Sequence, residues 1–284
     1  MRFQLPRCTH LATLVAVSAL TFQAFAQPTP AAATSPAGSG SASNPALGGQ
    51  KPKGPAPRLP NGKPDLSGVW QGGGPVGDIK DGLLPGEEIV MLPEAEKLMK
   101  SRLSSEDPEA RCLPTGVPRV APYPWRVLQS PAYGDATILY FLFEGNIHSY
   151  RQIFMDGRAH PADPDPTWYG HSVGRFEGRT LVVDTVGFND KFWFDFKGHP
   201  HSERLHIVER YTRTNVGTLV NRITIDDPGA YAKPFTVTFT ATLRPRDELM
   251  EYICNENNQD IPHVQGPPTI GGDPDRPQGT SNIR

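Results

Sequence analysis

Residues 147–210 hold most of the side chains able to do acid–base or binding chemistry. His148, His160, His171, His199, His201 and His206 all fall there, among arginines, carboxylates and aromatics. An imidazole changes charge near neutral pH and moves protons when a second group orients it. His171 is the candidate proton carrier, with Glu209 or Asp184 as orienting or basic partner and Arg151 or Arg158 as anion clamp. Arg158 and His160, beside Trp168 and Tyr169, would line a mouth suited to a planar or anionic ligand. The competing reading is a packed loop following the turn Asp156-Gly157-Arg158.

Strand alternation groups these residues by face. Over residues 168–177 one face carries Tyr169, His171, Val173 and Arg175, and the other Trp168, Gly170, Ser172 and Gly174. The first face either points His171 and Arg175 into a cavity or lies in solvent. Glu209 shares a face with Leu205, Ile207 and Tyr211, Arg151 with Ile147 and Ile153, and Glu251 with Leu249 and Ile253. A charge on an inward face must be paired or neutralised. Arg151 with Glu209 or Glu251 would therefore form a buried network. That network is either purely structural or the floor of a binding barrel, with Tyr211 among the lining residues.

Other motifs carry less. His199-Pro200-His201 and His206 offer imidazoles for a metal, but Pro200 breaks the strand and no clear further ligands accompany them, so no metal is assigned. Gly170-His-Ser-Val-Gly174 fits the G-x-S-x-G pattern. That motif needs a strand turning into a helix, and here another strand follows. No Gly-rich phosphate loop and no nucleotide or flavin fingerprint is present, so no cofactor is expected.

The elements that must position these groups read as strand after strand. Residues 235–243 alternate apolar side chains with threonine, one face toward a core and one toward water. Further strands are expected at 65–70, 126–129, 137–143, 147–154, 168–176, 180–186, 205–212, 218–226 and 249–254. Gly-containing turns at 144–146, 177–179 and 215–217 join neighbours as hairpins. One helical pattern covers 93–104, with Ile89, Leu92, Leu98, Met99 and Leu103 as its apolar stripe. The fold class is all-β: about nine or ten strands in an antiparallel up-and-down barrel or a strongly curved sheet, with one short N-terminal helix.

Gly68-Val69-Trp70 on the first strand resembles the short signature of lipocalin-type (calycin) barrels, although a long loop-and-helix stretch follows it. Residues 111–258 resemble an uncharacterised family of exported bacterial β-rich proteins. The likeness rests on Arg111-Cys-Leu-Pro114, Ile153-Phe-Met-Asp-Gly-Arg158 with His160-Pro161, Thr167-Trp-Tyr-Gly-His-Ser-Val-Gly174, Thr180-Leu-Val-Val-Asp-Thr185, Pro200-His-Ser-Glu203 and Tyr252-Ile-Cys-Asn-Glu256. It implies a secreted β-rich domain and names no activity.

The N-terminus agrees with export. Arg2 and Arg7 precede an apolar run over 11–20 that ends at Ala24-Phe-Ala26, the charged, apolar and small-residue order of a signal peptide. An uncleaved anchor is the alternative. Residues 1–26 are thus read as signal peptide, 27–58 as a Pro/Ala/Ser/Gly linker, 59–264 as the barrel domain and 265–284 as a flexible tail. Periplasmic or secreted localisation follows. Cleavage would leave Cys112 and Cys254, which form either a disulfide or two buried thiols. With 28 Lys+Arg against 30 Asp+Glu and no basic stripe, neither nucleic acid nor an anionic membrane is an expected partner, and no membrane insertion is foreseen. The leading expectation is a small-molecule-binding barrel performing cofactor-free acid–base chemistry (a lyase, isomerase or hydrolase step). Its rivals are a non-catalytic envelope protein and a metal-dependent hydrolase using His199, His201 and His206.

Overall fold

Period-two alternation governs the core. In Ile-Leu-Tyr-Phe-Leu-Phe of β3 (Ile138–Phe143) every second residue is buried, and β7 (His206–Asn215) and β8 (Thr218–Asp226) repeat the pattern. The computed structural model describes residues 52–129, 138–145 and 147–256. The remaining strands are β1 (Gly68–Gly72), β2 (Trp125–Leu128), β4 (Ser149–Phe154), β5 (His171–Glu177), β6 (Thr180–Val186) and β9 (Phe235–Leu243). Each strand pairs with its sequence neighbours, and β9 pairs back onto β1, closing a nine-stranded barrel. The expected all-β barrel is therefore present and closed.

One pairing departs from a pure up-and-down order. β4 and β5 run parallel and share only the pairs Ile153–Ser172 and Phe154–Val173. A parallel connection needs a crossover of a dozen or more residues, and residues 155–170 supply it. The reversal also lets an odd strand number close. Nine strictly alternating strands would bring β1 and β9 together parallel, whereas here they meet antiparallel.

The interior is filled. Trp70, Trp125, Phe141, Leu181, Tyr211 and Leu219 belong to one buried cluster. Ile79, Phe188, Phe192, Phe194, Ile207 and Ile223 belong to a second, so the β6–β7 connection contributes its own aromatics. On β7 and β8, Glu209 and Asn221 lie between residues of the two clusters.

Several expectations are corrected. Residues 249–254 form no strand; Glu251 and Ile253 are exposed. The reason is topological: β9 is already paired on both edges, with β8 and β1. The segment is instead tied by a Cys112–Cys254 disulfide, with Cα atoms 5.5 Å apart. The helix α1 is shorter than expected, Pro93–Ser101, with Pro93 in its first turn, Glu94 and Glu96 after it and Lys100 in the last turn, an order that suits the helix dipole. Ala95 is its buried residue, and the expected stripe forms only in part: Ile89 and Leu92 pack against the second core cluster, while Leu98 and Leu103 are each 46% exposed. The stretches read as signal peptide and tail, and most of that read as linker, lie outside the described residues. No helix among the described residues is long and apolar enough to cross a membrane.

Candidate functional site

The sequence-predicted residues separate into an interior group and an outer group. Inside, the pairs Phe141–Arg151, Ile153–Ser172, Ser172–Thr185 and Val183–Glu209 fix the register. Arg151 and Glu209 are 2% and 1% exposed and form an ion pair. Arg151 Nε donates to Ser172 Oγ at 2.9 Å, and Nη2 to Thr185 Oγ1 at 2.6 Å. Tyr211 Oη donates to Glu209 Oε1 at 2.6 Å, and Asn221 Nδ2 to the same oxygen at 3.3 Å. The cavity beside this network, lined by Trp125, Phe141 and Tyr211 among others, measures about 10 Å³. That is room for about one water molecule. Glu209 and Tyr211 therefore sit in a packed interior, while Arg151 reaches from it to the wall of an outer groove and lines both.

β5 presents its faces the opposite way from the cavity reading. Ser172 is buried, and Gly174 approaches β4 so closely that an added Cβ would lie 2.6 Å from both Ile153 and Met155. Small residues face inward because Arg151 fills the space opposite them. His171 and Arg175 consequently point outward, and Arg175 is spent on Glu177 in an exposed pair. Ser172, committed to Arg151, is no exposed nucleophile. Of the four residues grouped from sequence, His171 and Arg151 line one outer groove, Glu209 lines the small interior cavity, and Arg175 lines neither.

The outer group assembles where β4 and β5 part. Gly170 has φ +64°, a conformation that favours glycine, and an added Cβ would lie 2.7 Å from the Val186 carbonyl. There the chain leaves β4 and pairs with the segment after β6 instead, through Thr167 with Gly187 and Asn189. The gap so opened, between Tyr150–Gln152 and residues 167–172, is a groove of about 470 Å³. This lies in the range of small-molecule sites. Trp168, Tyr169, Phe154 and the crossover prolines Pro161 and Pro164 line it, together with His171. The hydroxyls of Tyr169 and Ser149 are hydrogen-bonded at 2.7 Å, and burial pushes the Tyr169 phenol up to about 12, so it stays neutral.

His171 stacks on Phe154 and meets His160 Nδ1 with its own Nδ1 at 2.9 Å. His160 Nε2 lies 3.1 Å from Asp184 Oδ1, and His206 Nε2 lies 2.8 Å from the same oxygen. A carboxylate only accepts, so both histidines donate to Asp184. The His206 hydrogen bond holds the Asp184 carboxyl below its ordinary range, and the same bond raises His206. Burial, followed by the nearby His160 and Arg158, lowers His171. Arg158 covers Phe154 from outside at 4.0 Å and is paired with Asp156, away from the groove lining.

The remaining histidines serve elsewhere. Asp195 accepts from His199 Nδ1 at 2.6 Å and from the backbone N–H groups of Ile79, Lys197 and His199. Asp78, Asp195 and His199 have metal-like spacing, but four accepted hydrogen bonds already occupy Asp195. His206 is committed to Asp184, so His199, His201 and His206 do not form the set considered from sequence. Sequence reasoning missed Tyr150, Phe154, Pro161 and Pro164 as groove residues; the proline run at 161–166 was the available sign of a crossover. No known family model, curated protein or solved structure matches the chain.

Proposed function

We propose that this chain is an exported member of the bacterial β-rich family it resembles, and that it binds a small, ring-bearing, partly apolar molecule in the outer groove. There His171 moves a proton on the bound compound, in a lyase, isomerase or hydrolase step. One observation carries the reading: His171 is at once a wall of the groove and the end of a hydrogen-bonded chain leading to Asp184. Trp168 and Tyr169 supply flat apolar faces for a ring. Export accords with the signal-like N-terminus and with the disulfide, which suits an oxidising compartment.

The test is a titration of the mature protein with a panel of aromatic acids, phenols and cyclic ketones, followed by tryptophan fluorescence. Trp70, Trp125 and Trp193 are buried, so Trp168 reports on the groove. A ligand should lose about tenfold in affinity in Trp168→Ala, measured for both proteins by isothermal titration calorimetry because that variant lacks the reporter. His171→Ala should keep binding and lose turnover. Equal affinity and turnover in both variants would overturn the assignment and leave a non-catalytic envelope protein, a role that the ion network filling the barrel already fits.

A further inference from the structure

The outer cluster has a single hydrogen-bond pattern when its imidazoles are neutral. Asp184 accepts from Nε2–H of both His160 and His206. A neutral imidazole carries one N–H, so His160 is bare at Nδ1. That nitrogen must then accept, which makes His171 the donor through Nδ1–H across 2.9 Å. The lone pair of His171 is left on Nε2, which has no hydrogen-bond partner among the described residues.

We propose that Asp184, His160 and His171 form a two-histidine proton relay with His171 Nε2 as the working base, and that His206 positions Asp184. The proposal rests on the groove reading above and adds how its base is driven. The substrate class it implies is a weak acid carried on a ring, either a hydroxyl or a C–H beside a carbonyl. The X–H bond breaks as its proton passes to His171 Nε2. The Nδ1 proton of His171 then passes to Nδ1 of His160. His160 becomes the imidazolium, its Nε2–H still donated to the Asp184 carboxylate, and X⁻ remains in the groove. The reverse transfers return the proton to product. Separating the new cation from the substrate by one imidazole, and placing it against a carboxylate, stabilises it where charge develops.

The charged groups around the relay come from several elements, and Asp165 of the crossover and Arg151 of β4 line the same groove as His171. His160 and Arg158 come from the crossover, with Arg158 held by Asp156. Asp184 comes from β6 and His206 from β7, and Asp226 of β8 acts on His206. The lowered His171 keeps the base unprotonated at neutral pH.

The test needs no substrate. Long-range ¹H–¹⁵N NMR on the mature protein at pH 7.5 reads each tautomer directly. His171 should be the Nδ1–H form and His160 the Nε2–H form. In His160→Gln, with circular dichroism as a check on folding, the His171 titration midpoint should move upward, because His160 is one of the neighbours that lower it. His160→Asn serves if the first variant does not fold. His171 found as the Nε2–H tautomer, or a midpoint unmoved in a folded variant, would overturn the relay. Ligand binding read through Trp168 is independent of these signals, so a failed relay and a failed groove are told apart.

Discussion

Replacing His201 with phenylalanine should flatten the acid limb of the stability curve. His201 is 5% exposed, and its ring lies 3.8 Å from Phe192 and 5.1 Å from Phe194 between centroids. Nε2 is buried without a partner. Burial disfavours the imidazolium and lowers its pKa from 6.5 to about 4. The unfolded chain takes up this proton near 6.5 and the folded chain only near 4, so between those values the unfolded state binds more protons. Stability is then full above the unfolded value and falls as acid is added. Crossing the whole window costs about 3 kcal/mol, and going from pH 7 to pH 5 costs about 2 kcal/mol. Urea unfolding of the disulfide-intact protein at both pH values, followed by tryptophan fluorescence, measures this. Wild type should lose about 2 kcal/mol more than His201→Phe over that interval. Absolute stability will also change, because His201 Nδ1 meets the Ser202 carbonyl at 3.3 Å, so the pH dependence is the quantity compared. Equal losses in the two proteins would refute the assignment of a buried neutral imidazole.

Arg151→Met should destabilise the barrel by about 3–5 kcal/mol, because Glu209 would be left charged and unpaired in the interior. Arg151→Met with Glu209→Gln should recover most of that loss in the same urea assay, since the amide still accepts from Tyr211 and Asn221. Replacing Cys112 and Cys254 together with serine should lower stability by at most about 5 kcal/mol, the chain-entropy value for cysteines 142 residues apart. Thermal melts of oxidised wild type and the double variant would show it, and identical melting temperatures would contradict the bridge.

How much could be read in advance depended on whether a residue's environment was set by its own strand or by a distant one. The Thr-Val-Thr-Phe-Thr pattern of β9 and the Gly-containing turn between β7 and β8 carry their structure locally, and both were legible. Arg151 and Glu209 were legible as a pair because each is a charge among apolar neighbours, and such charges must meet. The facing of β5 was not. Histidine and arginine look more suited than serine and glycine to a polar cavity, and only the presence of Arg151 across the ladder reverses that choice. Leu249, Glu251 and Ile253 alternate as a strand would, but an alternating segment becomes a strand only where an edge is free. The tie between His160 and Asp184 joins a proline-rich crossover to β6, a contact that no local periodicity encodes.

The groove follows from the way the barrel closes. Nine strands in sequence order can close antiparallel only if one neighbouring pair runs parallel, and that pair is β4–β5. Its crossover has to leave the sheet and return to the same end, so residues 155–170 lie outside the barrel and cover the junction. The two strands then share two residue pairs, while β3 and β4 share six. The junction with the fewest pairs is thus where the wall opens onto the groove, and the covering crossover brings His160 to His171 and Trp168 to the rim. Beside Trp125, Phe141 and the Arg151–Glu209 network the interior holds a cavity of only about 10 Å³. Selection for a site on this scaffold would act on the exposed middle of the crossover, since Met155, Trp168 and Tyr169 at its ends pack against the core clusters, while Asp184 and His206 on β6 and β7 provide the fixed acceptor and its second donor.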